Sequence, residues 1–429
     1  MLFQDITIID ENFQVCTHRY VGVKGDRIAY VSDKAPEEDF GEVYRGENKL
    51  LIPAFFNAHS HLSMFPMRGF GENLPLLTWL TTRIFPFEAH LSPEDMYYGA
   101  LMGVAEMLRY GIAGSTDMYL NFDAQARAFA DGGIKANYAC CVTCPEDADY
   151  RSLSVYADAL ESIKRYHNYD NGRIRTMFSL HAEYTNSERI IRSLAEVCAE
   201  QNSTMQVHVS ESASEVEQCR TRYGRSPVRF LADCGIFDTP TVAAHCVHVD
   251  DEDIAILKAH KVTVGTCPKS NAKLSSGICP VTRLLDAGVN VAIGTDSVSS
   301  NNNLNMIEEM RFFNLLQKVT TMDPTAITPE QTLYAATRAG ALGQQREDCG
   351  FVKEGFKADL TVFDIDKVYM KPEYNLLNNL IYAADGGDVV LTMVDGRVLY
   401  KDGEYPMLDV ERVEYECEKT RRRILGELG

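Results

Sequence analysis

Leu51-Ile-Pro-Ala-Phe-Phe-Asn-Ala-His-Ser-His61 sets two histidines two residues apart where an apolar run ends. Residues i and i+2 of a strand point to the same side. The run is bounded by Pro53 on one side and by Pro66, Gly69 and Gly71 beyond the other. It therefore predicts a buried strand whose C-terminal tip carries both imidazoles, placed to grip one ion. Three more apolar segments end in residues of ligand type: Met205-Gln-Val-His208, Thr241-Val-Ala-Ala-His245 and Val289-Asn-Val-Ala-Ile-Gly-Thr-Asp296. Singly, each fits a core histidine or a helix-capping aspartate. Four strands delivering such groups at the same end are what an active site at one face of a barrel requires.

The rest of the chain predicts that barrel. Strand candidates are Leu51 to Ala58, Gly111 to Asp117, Ile134 to Val142, Ile174 to Leu180, Met205 to Val209, Thr241 to Ala244, Val262 to Thr266 and Val289 to Gly294. Amphipathic helices such as Met96 to Tyr110 alternate with them, which predicts an α/β fold, a (β/α)₈ TIM-like barrel. Residues 1–50 instead show short alternating segments, Ile6-Thr-Ile-Ile9 and Arg27-Ile-Ala-Tyr-Val31, separated by Gly and Asp turns. That texture returns in Ala358-Asp-Leu-Thr-Val-Phe363 and in a hairpin around Asp395-Gly396. The expected organisation is a barrel over 51–345 beside a small β-sandwich built from 1–50 and 346–429, with a charged helix from Leu408 to Leu428 packed on the outside.

Composition narrows the function. The 429 residues are 45% hydrophobic and carry a formal net charge of −19, which argues against a nucleic acid or an anionic membrane as partner. No apolar stretch approaches the roughly 20 residues of a membrane span, and Met1-Leu-Phe-Gln-Asp does not begin a signal peptide, so a cytoplasmic protein is expected, with assembly into a homo-oligomer left open. Twelve scattered cysteines fit reduced thiols, and Cys141-Val-Thr-Cys144 has no second pair to complete a zinc site.

His59, His61, His208 and Asp296 together make three nitrogen ligands and one carboxylate with a position left for water, the pattern of a catalytic Zn²⁺; Fe²⁺ or Mn²⁺ would also accept it. Such an ion lowers the pKa of bound water toward about 7, and Asp296 is suited to take the proton. The fourth strand ends Phe178-Ser-Leu-His181 without the lysine that bridges paired metals in barrels of this kind, so one ion per chain is expected. Glu211 follows His208 by three residues, a spacing suited to proton transfer rather than ligation. His245 is left as a fifth ligand or a hydrogen-bond donor.

The chain resembles the amidohydrolase superfamily and, within it, the 5-methylthioadenosine/S-adenosylhomocysteine deaminases, nearly end to end. The residues that carry this are Asn57-Ala-His-Ser-His61 with Arg68-Gly69, Trp79-Leu80, Phe85-Pro-Phe-Glu88, His208-Val-Ser-Glu211, Ala244-His-Cys246, Cys267-Pro-Lys-Ser-Asn271, Lys273-Leu-Ser-Ser-Gly277, Gly294-Thr-Asp296 and Asn301-Asn-Asn-Leu-Asn-Met306. The resemblance implies zinc on His59, His61, His208 and Asp296, proton donation from Glu211 to the purine, and a hydroxide polarised by His245. It also implies Glu88 on the ribose hydroxyls, His181 on the nucleoside and Trp79 in the pocket wall. Of two arginines that such enzymes place around the far end of the substrate, Arg151 matches one, and Lys135 or nothing stands for the other. Glu183 replaces a proline of the pattern and is expected near the nucleoside. S-adenosylhomocysteine is accordingly expected to be a weaker substrate than 5′-methylthioadenosine. The alternative reading is an aminohydrolase or chlorohydrolase acting on guanine, a pterin or an s-triazine. A scaffold that has lost catalysis would lack a ligand, and no ligand is missing.

Overall fold

The computed structural model describes residues 1–428. One parallel sheet runs in the order Asn290–Ile293, Thr263–Thr266, Thr241–His245, Met205–Val209, Phe178–Leu180, Lys135–Val142, Ile112–Tyr119, Phe55–Ser60. It closes where Ser60 pairs with Asp296 and the Asp296 N–H donates to the His59 carbonyl at 3.0 Å. Each predicted barrel strand is present. The fourth is interrupted at Met177, giving Ile174–Thr176 and Phe178–Leu180, and both pieces pair with Lys135–Val142. Closure needs a close approach at Gly294, where an added Cβ would sit 2.9 Å from the His59 Cβ.

The first strand departs from expectation at its start. Lys49–Pro53 pairs with Leu2–Ile9 and with Leu360–Asp364, so it belongs to the small sheet, and the barrel begins at Phe55. The apolar run reads as one strand because both of its halves are buried, but the chain crosses from one sheet to the other at Ala54. The small domain is one mixed sheet of eight strands drawn from both chain ends. Its halves share an apolar cluster that includes Phe3, Val21, Ile28, Leu360, Val362 and Leu391, which gives the sandwich its core.

The helix Pro93–Arg109 starts at a capping box: Ser92 accepts from the Asp95 N–H, Asp95 answers on the Ser92 N–H, and Pro93 stands where no donor is needed. The C-terminal helix Val410–Leu428 packs along it through Arg423 to Asp95 at 2.7 Å and Arg412 to the Tyr98 hydroxyl at 3.1 Å. Its Ile424 is fully buried in a cluster with Trp79, Ile84 and Phe87, a burial that stabilises by about 1.5–3 kcal/mol. All twelve cysteines are free. Among the described residues no helix is long and apolar enough to cross a membrane.

Candidate active site and metal centre

The predicted ligands meet at the C-terminal ends of the barrel strands. His59, His61 and Asp296 offer ligand atoms within 4.8 Å of one another, and so do His59, His208 and His245. The Asp296 Oδ1 lies 3.6 Å from His59 Nε2 and 3.3 Å from His61 Nε2, and His61 and His208 bring their Nε2 atoms within 3.3 Å. Ser210, His245, Cys246 and Asp296 all take left-handed backbone angles, with φ of 51°, 70°, 47° and 57°. Such strain in non-glycine residues persists where the surroundings impose it, as at a functional site.

The surrounding hydrogen bonds leave the inner atoms free for a cation. His61 Nδ1 donates to the Met118 carbonyl and His208 Nδ1 to the His181 carbonyl, each at 2.7 Å, so both Nε2 atoms keep their lone pairs. His59 Nδ1 meets the Gln206 side-chain amide at 2.6 Å. Its Nε2 is buried with no partner. A half-turn of that amide sets its otherwise unpartnered oxygen on the Nδ1–H. Asp296 Oδ2 accepts from Ser270 Oγ at 2.7 Å and Ser300 Oγ at 2.8 Å, which leaves Oδ1 to the histidines. An orphaned imidazole nitrogen, two further bare nitrogens and one carboxylate oxygen, all buried, suit a divalent metal ion.

Electrostatics point the same way. Burial pushes His59 down to about 3 and His208 well below its ordinary range, so both are neutral ligands at neutral pH. Burial also opposes charge on His61, but its hydrogen bond and attraction to Asp296 outweigh it and hold the ring near 8 in the absence of an ion. Asp296 is disfavoured by burial too, yet its contacts with His59 and His61 keep it ionised.

Beside this cluster lies a cavity of about 120 Å³ whose wall includes Trp79, Glu88, His181, His208, Glu211 and His245. Glu211 is buried, which raises its pKa; it accepts from Ser276 Oγ at 3.2 Å and stands 3.9 Å from His245 Nε2. His245 Nδ1 bonds the Asn271 side chain at 2.9 Å. Burial lifts Glu88 to about 7 against a hydrogen bond from Tyr119, and pushes His181 down to about 4. Trp79, Leu80 and Tyr184 also border an outer chamber of about 960 Å³ that contains Glu72, Glu215 and Lys273.

Three expected contacts lie elsewhere. Arg151 is on the outer surface, paired with Glu200 at 2.7 Å and Glu196 at 3.3 Å. Lys135 is buried at the opposite end of the barrel, 2.6 Å from both Asp359 and Asp395. As the first residue of its strand it sits at the end away from the ligands. Glu183 follows His181 but turns into the protein beside Glu215, whose carboxylate accepts the N–H groups of Ser210 and Glu211 at 2.6 and 2.7 Å. Residues that sequence reading passed over include Gln206, Ser270, Asn271 and Ser300. Gln206 was detectable, since it stands two before His208 and shares its face.

The Amidohydrolase family model matches residues 50–399. A 5-methylthioadenosine/S-adenosylhomocysteine deaminase of Dictyoglomus thermophilum is 37% identical over 99% of both chains, and one of Thermoanaerobacter pseudethanolicus is 38% identical over 94% of both. A zinc-bound adenosine deaminase of Xanthomonas campestris superposes with a TM-score of 0.92 at 30% identity, covering 99% of this chain and 98% of its own. The atrazine chlorohydrolase of Arthrobacter aurescens TC1 shares the fold with a TM-score of 0.90 at 21% identity, covering 98% and 99%. The protein is a hydrolase acting on C–N bonds. With 350 matched residues and relatives aligned end to end, the chain belongs to the amidohydrolase family.

Proposed function

We propose that the protein is a zinc-dependent deaminase of adenine nucleosides carrying a 5′ substituent, yielding the inosine analogue and ammonia. The observation that carries this reading is Glu88, a carboxylate in the same cavity as Glu211 and the histidine cluster. A carboxylate suits the paired hydroxyls of a ribose, and a free base would leave it without a partner. The names of the relatives support the same substrate class.

His59, His61, His208 and Asp296 would hold the ion, which when bound supplies Lewis acidity and a nucleophile from water at neutral pH. Glu211, whose hold on a proton burial strengthens, gives that proton to the ring nitrogen beside the amino-bearing carbon. Asp296 Oδ1 takes the proton of the attacking water, while His245 Nε2 orients the oxygen. The new C–O bond replaces the C–N bond: Asp296 passes its proton to the leaving amine, the proton remaining on the new hydroxyl returns to Glu211 as the carbonyl forms, and ammonia departs. Trp79 and Leu80 keep bulk water from the ring. The outer chamber is suited to the 5′ group.

Ammonia release over a panel of nucleosides and bases tests this. Adenosine, 5′-deoxyadenosine and 5′-methylthioadenosine should turn over, adenine poorly, and Glu88→Gln should lower kcat/KM on nucleosides by about 10- to 100-fold, the worth of a hydrogen bond to a charged group. Among the described residues, the two cavity linings contain no arginine, and their lysine, Lys273, is held by Glu72 at 2.8 Å. S-adenosylhomocysteine should therefore trail 5′-methylthioadenosine. Guanine or an s-triazine preferred over every nucleoside, or an unimpaired Glu88→Gln protein, would refute the assignment.

A further inference from the structure

Behind Asp296 lies a second buried carboxylate that the deamination chemistry leaves unused. Glu309 projects from the helix Met306–Thr321 and is fully buried. One of its oxygens accepts the Lys269 backbone N–H at 3.1 Å, and the other accepts the Asn301 side-chain amide at 2.5 Å. These donors belong to two different short helices, Pro268–Lys273 and Val298–Asn301. Lys269 directly precedes Ser270, and Asn301 directly follows Ser300. The hydroxyls of those two serines are the groups that hold Asp296 Oδ2. Asn301 also donates to the carbonyl of Thr295, the residue before Asp296, at 2.7 Å.

We propose that Glu309 is a positioning residue for the metal centre: by tying both short helices, it seats Ser270 and Ser300 on Asp296 Oδ2 and turns Oδ1 toward His59 and His61. The inference rests on the reading of Asp296 as metal ligand and proton acceptor. Both hydroxyls hold Asp296 Oδ2, so the direction of its carboxylate depends on where those two serines are seated. An error of about 1 Å in a reacting group costs on the order of 10²-fold in rate, and groups that orient metal ligands are worth about 10- to 100-fold in affinity or activity.

Glu309→Gln keeps the shape but turns one acceptor into a donor, so one of the two ties is lost. Zinc release to a chelator should quicken by about 10-fold or more, and kcat should fall by about 10-fold while KM stays within about two-fold. The Ser270→Ala/Ser300→Ala protein should show the same losses, and adding Glu309→Gln to it should change them by less than about two-fold, because both act through one contact. Asn301→Ala, which removes the tie to Glu309 together with the bond to the Thr295 carbonyl, should give the same pattern if Glu309→Gln folds poorly. Wild-type zinc release in both Glu309→Gln and Asn301→Ala, or losses that multiply those of the serine variant, would overturn the proposal. Zinc release is read without substrate. Failure of every nucleoside to react would thus count against the proposed activity, while the release rate still decides the role of Glu309.

Discussion

Replacing Lys135 by Met should destabilise the protein without touching its catalysis. The ammonium is only 2% exposed and lies 2.6 Å from Asp359 and Asp395, so its removal leaves the buried Asp359 carboxylate without its cation, while the partly buried Asp395 keeps Lys357 at 3.5 Å. Breaking a buried ion pair by removing one partner costs about 3–5 kcal/mol, because the remaining charge has lost its solvent and its counter-ion. At roughly 2.1 cal/mol/K per residue, unfolding entropy for this chain is about 0.9 kcal/mol/K, so Tm should fall by roughly 3–6 °C. Calorimetry of the zinc-loaded protein measures this, with ammonia release from 5′-methylthioadenosine and S-adenosylhomocysteine measured alongside. Lys135→Met/Asp359→Asn/Asp395→Asn should recover much of the loss, since a neutral trio has no stranded charge. An unchanged Tm, or a selective loss of turnover with S-adenosylhomocysteine, would refute the reasoning and return Lys135 to the substrate wall.

Elemental analysis should find about one tightly bound divalent ion per chain, and His208→Ala should lose both ion and activity. Two equivalents that both matter for turnover would contradict the single cluster of ligands. Glu211→Gln should keep fold and zinc but lower kcat at least about 10²-fold, the usual contribution of a placed acid-base group; near wild-type kcat would mean that the proton comes from elsewhere. Stability should decline as pH rises toward about 8. Burial, reinforced by the Glu215 charge, raises the Glu183 carboxyl above its ordinary 4.5, so the folded state binds that proton more tightly than the unfolded chain. The resulting stabilisation is complete below 4.5 and is lost as pH climbs through the raised value. Tm of the zinc-loaded enzyme should drop between about pH 5 and about pH 8, and Glu183→Gln should flatten that drop; an equally steep decline in the variant would exclude Glu183 as its source.

The barrel and the residues that converge at its mouth were legible because a parallel strand buried on both faces reads as an unbroken apolar run, and a polar residue at its end interrupts that run. Burial alone does not say which sheet a strand joins, so the crossing at Ala54 was hidden inside one apolar segment. The far wall was illegible for a different reason. Lys135 and Arg151 were placed by similarity to a pattern, whereas their partners, Asp359, Asp395, Glu196 and Glu200, are distant in sequence and only folding brings them close. The hydrogen bonds of Ser270 and Ser300 carry no periodic signal, because each depends on how a short helix is set against Asp296.

The buried Ile424 gives the reactive centre two different dependencies on the chain. Every proposed ligand has been synthesised once Asp296 is made, but Trp79 and Ile84, which line the cavity with Glu88, share an apolar cluster with a residue more than a hundred positions later. It follows that a protein cut before Val410 should retain its ion and lose affinity for nucleoside. Damage at the extreme C-terminus would then present as a defect of recognition rather than of chemistry.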